Sequence, residues 1–76
     1  MGKENVKLRF GKRVRELRIK HGWIQVELAR QAGISRSYLQ KIESQNPPDV
    51  TLDVIAKLAR GFGLSCSKIV KYSPNK

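Results

Sequence analysis

One cysteine, one histidine and six acidic residues in a chain of 76 leave little equipment for enzyme chemistry. Cys66 stands alone, which excludes an internal disulfide and a cysteine-rich zinc site. His21 has no second histidine or cysteine at ligand spacing, so no metal or cofactor is expected. There is no Ser/His/Asp set, no pair of carboxylates to line a cleft and no phosphate-cradling glycine loop, so the chain is not expected to be an enzyme. Nor is there a long apolar run. Met1–Asn5 leads straight into charged sequence, so neither a secretory leader nor a membrane span is expected. No stretch alternates polar and apolar residues with period two, which argues against a sheet. At this length a chain buries only about 60% of its unfolded surface, enough for one small domain over 1–76 with a core of about 8–71 and short flexible ends.

Basic residues, by contrast, are abundant. Lysine and arginine number 16, giving a net charge of +10 and an isoelectric point near 10.4. Hydrophobic residues make up 39% of the chain, sufficient for a packed core despite the charge. Such a field favours a polyanion. A membrane surface fits less well than nucleic acid, because a core consumes the apolar stripes and no helix pairs a wide apolar face with a fully basic one.

The periodicity is helical throughout. Phe10, Val14, Leu17 and His21 recur at i, i+4, i+7 and i+11 along a first helix from about Leu8 to Lys20, with Gly22 as its stop. Lys12, Arg13, Arg15 and Lys20 lie on its other faces. A short second helix spans Gln25 to Ala32, with Leu28, Ala29 and Ala32 inward and Gly33 ending it. Ser35 caps a third helix running to Ser44, with Leu39 and Ile42 inward. The segment Gln45-Asn46-Pro47-Pro48-Asp49 is a loop. Thr51 caps a fourth helix with Leu52, Ile55, Leu58, Ala59 and Phe62 inward and Gly63 as its stop. Ser65 caps a weaker fifth helix ending near Lys71. The expected fold class is all-α, five short helices around one core.

The informative segment is Gln25–Ser44, QVELARQAGISRSYLQKIES. Its two helices are joined by a turn too short for antiparallel stacking, so they must cross steeply. Ala29 is small where the backbones approach, and Gly33 can take the positive φ that the corner needs. This is a helix-turn-helix layout, in which the second helix presents its outer face to a DNA major groove. GWIQVELARQAGISRSYLQKIE resembles the XRE family, the lambda-repressor-like (Cro-like) fold, and the resemblance runs from about Phe10 to about Val70. It implies a five-helix, sequence-specific binder of double-stranded DNA, usually a dimer on a pseudo-palindromic operator.

The resemblance places Arg36, Ser37, Gln40 and Lys41 on the outward, base-reading positions of the third helix. It implies that Gln25 contacts a phosphate and buttresses Arg36, and that Arg18 and Glu43 form a structural ion pair between the first and third helices. Ile24 stands where the family has a capping Ser or Thr, and Ser44–Val50, with its two prolines, replaces a short glycine turn. Tyr38, Arg13 and Asn46 join Gln25 as expected phosphate contacts. Chemically, Arg36 suits a guanine edge and Gln40 an adenine edge, each by two hydrogen bonds. Lys41 can reach a base or a phosphate. Tyr38 can meet a sugar-phosphate or a thymine methyl, or pack at the edge of the helix pair. Trp23 reads as core.

Leu64, Ile69, Val70 and Tyr72 exceed what a terminal helix needs for docking, and an isologous dimer contact is expected there. The alternative is that Ile69 and Val70 close the core of a monomer that pairs only on DNA. The leading functional reading is a cytoplasmic homodimeric transcription regulator, a repressor or autoregulator, similar to phage-type repressors and restriction–modification controller proteins. The other reading is an antitoxin that binds a small protein toxin and autoregulates its operon.

Overall fold

The computed structural model describes residues 6–65 and 68–69. Four helices lie among them, α1 (Val6–Lys20), α2 (Gln25–Ala32), α3 (Arg36–Ile42) and α4 (Leu52–Phe62), and there is no strand among the described residues. The expected fifth helix falls largely outside them. Its start is present, because Ser65 Oγ accepts from the Lys68 N–H at 3.3 Å and Lys68 and Ile69 are helical.

The helix ends follow local chemistry. Ser35 is extended and its Oγ accepts the Tyr38 N–H, which starts α3. Thr51 does the same for α4 through the Val54 N–H. Each such cap is worth about 1 kcal/mol, because it satisfies a donor that the helix itself cannot. Gly33 closes α2 at φ 75°, a conformation costing a non-glycine residue about 1–2 kcal/mol. The chain leaves that corner and re-enters a helix within three residues, which leaves no room for α2 and α3 to stack antiparallel.

Val14, Leu28, Leu39, Leu58 and Ile69 are fully buried at the centre, with Leu17, Ala29, Ala32, Ile42, Ala59 and Phe62 around them. Trp23 packs on the edge of this cluster, its ring stacked on Phe62 at 6.0 Å and 12°. His21, expected on the inward stripe, is exposed instead. It lies one residue past the end of α1, where its ring leans on Trp23 at 4.5 Å and its Nδ1 donates to the Leu17 carbonyl. Leu52 is a second correction, 83% exposed rather than inward. It shares the angular position of Ala59 but stands nearly two turns earlier, at the first residue of α4, where the helix overhangs the core.

Candidate nucleic-acid interface

The inner side of α3 is fastened to the rest of the fold at three places. Leu39 and Ile42 enter the core. The Ile42 carbonyl lies so close to Gly11 of α1 that any Cβ at position 11 would collide with it. Glu43, immediately after α3, is held by side chains from two other elements. Arg18 Nε and Nη2 donate to its two oxygens at 2.9 Å each, and Gln25 Nε2 donates to Oε1 at 3.2 Å. The same guanidinium donates through Nη1 to the Trp23 carbonyl at 2.9 Å. The Arg18 and Glu43 side chains are only 13% and 4% exposed. A bidentate pair this dry fixes orientation as well as distance.

The outer side is the reverse. At about 100° per residue, Arg36, Gln40, Ser37 and Lys41 span an arc of about 140° on α3, and the inward residues fill the opposite arc. All four are exposed. The segment therefore offers a guanidinium, an amide, a hydroxyl and an ammonium to the outside, on a short helix that cannot turn about its axis without breaking the Glu43 bonds.

The remaining expected residues are placed unevenly. Gln25 begins α2 and lines a surface depression with Ile24, Val26 and Arg36. Its side-chain bond goes to Glu43 rather than to Arg36; the amide has a second N–H for another acceptor. Tyr38 is half-buried and packs against the core. Asn46 is exposed in the loop after α3, its N–H donating to Ser44 Oγ. Arg13 lies elsewhere. Two residues along a helix turn about 200°, so Arg13 points away from the Gly11 side that meets α3, and its Nη2 donates to the Lys68 carbonyl at 3.4 Å. Leu64 is half-buried and Ile69 fully buried within the chain, so Ile69 offers no surface to a partner. Val70 and Tyr72 lie outside the described residues. Among the described residues no group of His, Cys, Asp or Glu is arranged for a metal, and no helix is long and apolar enough to cross a membrane.

Three features of the site escape sequence reasoning. Gly11 sits inside a helix, where glycine costs about 1 kcal/mol relative to alanine, and that cost is the signal that a backbone passes close by. Gln25 completes the part-buried polar cluster, a role that no spacing rule announces. Glu27 Oε1 accepts the Ile24 N–H at 3.0 Å, half of the reciprocal bonding of a capping box, because isoleucine has no acceptor to return.

A short helix held rigidly on its inner side, outward polar groups and a strong positive charge together define a helix-turn-helix nucleic-acid reader. The helix-turn-helix family profile matches residues 14–69, and the chain belongs to this family of DNA-binding transcription regulators, of the XRE type. It is 38% identical over 63 residues to a propionyl-CoA carboxylase regulator from Cereibacter sphaeroides, covering 83% of this chain and 13% of that protein. It is 33% identical over 57 residues to a hypothetical transcription factor of Neisseria meningitidis, covering 75% of this chain and 53% of that one. The chain thus spans a small part of the first relative and about half of the second. Among solved structures it resembles the Neisseria transcription factor NHTF (TM-score 0.78, 29% identity, 87% of this chain and 75% of that one). It also resembles the restriction-modification controller protein C.AhdI from Aeromonas hydrophila (TM-score 0.77, 35% identity, 83% of this chain and 94% of that one).

Proposed function

We propose that this protein binds a specific double-stranded operator by laying α3 in the major groove. The observation that carries this is the division of α3 into a locked inner arc and an exposed polar outer arc. Arg36, at the first turn, reads a guanine through O6 and N7, a pairing worth about 1–3 kcal/mol of discrimination. Ser37, Gln40 and Lys41 contact neighbouring bases. Gln25, Tyr38 and Asn46 lie toward phosphates and set the register without reading sequence. The likeness to a controller protein and to transcription factors supports a regulator, acting as a repressor or autoregulator in the cytoplasm.

One domain this small covers one half-site, and a pseudo-palindrome needs two, about one DNA turn apart. The active species is therefore a homodimer, and of the expected contact residues that are described, Leu64 keeps exposed surface while Ile69 does not. Sedimentation at micromolar concentration with operator present should give a dimer; an 8.7 kDa species persisting there contradicts it. The direct test of base reading is selection of bound duplexes from a random pool, repeated with Arg36→Ala. Loss of preference at one base position supports it, and uniform weakening at every sequence reduces Arg36 to a phosphate contact.

A further inference from the structure

The start of α2 breaks two rules at once. Ile24 occupies the capping position of α2, yet its side chain makes no capping bond, where Ser, Thr, Asp or Asn would add stability. The residue is also 62% exposed, with Val26 nearby at 37%. Neither feature helps the isolated protein. A position that forgoes a cap and exposes isoleucine is explained by an interface that wants an apolar group there.

That interface is identified by what shares the depression. Ile24 and Val26 line it together with Gln25 and Arg36, so the apolar pair adjoins a guanidinium and an amide, both donors suited to DNA. The depression is thus continuous with the arc that carries Arg36, Ser37, Gln40 and Lys41. A major groove displays one apolar group on its base edges, the C5-methyl of thymine. We infer that Ile24, with Val26, packs on the methyl group of a thymine next to the base pair that Arg36 contacts, making Ile24 a further specificity-determining residue. This rests on the reading of α3 as the major-groove helix.

The test uses the full chain and the operator obtained by duplex selection. Each thymine is replaced singly by deoxyuridine, which removes only the methyl. One position should weaken binding about fourfold, the worth of burying one methyl-sized group. The variant Ile24→Ser supplies the missing cap, so it should unfold no earlier than the parent and its binding is measured on folded protein. It should bind the thymine operator about fourfold more weakly and shrink the thymine–uracil difference to within twofold. A deoxyuridine scan with no sensitive position overturns the inference while leaving operator selectivity intact. So does Ile24→Ser with an unchanged thymine–uracil ratio, or one that alters self-association instead. A selection that enriches no duplex removes the reading beneath it, and the inference with it.

Discussion

Two of the helix–helix joints among the described residues are each made close by a glycine, and they are built from different materials. At α2 and α4, the Ala32 backbone lies against Gly61, and Leu28, Ala29, Leu58, Ala59 and Phe62 bury around them. Everything in that joint is apolar or small. At α1 and α3, Gly11 lets the Ile42 carbonyl approach, and beside it the Arg18 guanidinium grips Glu43. Burying apolar area stabilises without direction, at about 25 cal/mol per Å², and tolerates small slides of one helix on another. A bidentate ion pair adds little net stability compared with a well-packed apolar pair, yet it permits one geometry. The first joint holds the domain together, and the second aims the helix that faces outward.

The largest effect should come from cutting the second joint on one side. Glu43→Ala leaves Arg18 largely buried without its carboxylate, which costs roughly 3–5 kcal/mol and is measured by urea denaturation. The sharper comparison replaces both partners, Arg18→Met with Glu43→Leu. If the pair serves aim rather than stability, the double variant recovers most of the lost stability, and its DNA selectivity stays reduced. Restored selectivity in that variant would show that packing alone orients α3.

Gly11→Ala comes next. Its Cβ would meet backbone, the Ile42 carbonyl and Glu43, which cannot swing aside as a side chain does. Overpacking of this kind costs about 1–3 kcal/mol, even after alanine's helical advantage. Because α3 must move, DNA affinity should fall by more than the stability loss explains, read by titrating operator onto protein that circular dichroism shows to be folded.

How much of this is legible in the sequence depends on the kind of interaction. The bounds of α2 and the caps at Ser35 and Thr51 follow from local periodicity and short-range hydrogen bonding, which a sequence displays directly. The Arg18–Glu43 pair is implied only by the family resemblance, since 25 residues separate the partners and no periodicity joins them. Leu52 and His21 depart from the helical wheel for one reason. A helical wheel records angle but not where along the axis the neighbouring helices stop covering. Gly11 and Gly61 are visible as costly residues inside helices, although only the fold shows which backbone each admits. In the sequence Arg13 is one of a basic run, and its turn toward Lys68 depends on a segment distant in sequence.

The smallest effect tests the apolar joint. Gly61→Ala would bring its Cβ to 3.2 Å from the Ala32 Cα and backbone nitrogen, tight but short of a collision. A shift of a few tenths of an ångström relieves it, and an apolar joint permits that shift because no directed bond must be broken. Replacing glycine in a helix interior returns up to about 1 kcal/mol of helix propensity, which offsets the repacking. The stability change should therefore lie within about 1 kcal/mol, and operator affinity should not change. If Gly61→Ala weakens DNA binding as much as Gly11→Ala does, α4 also takes part in aiming the reading helix, and the division between the two joints fails.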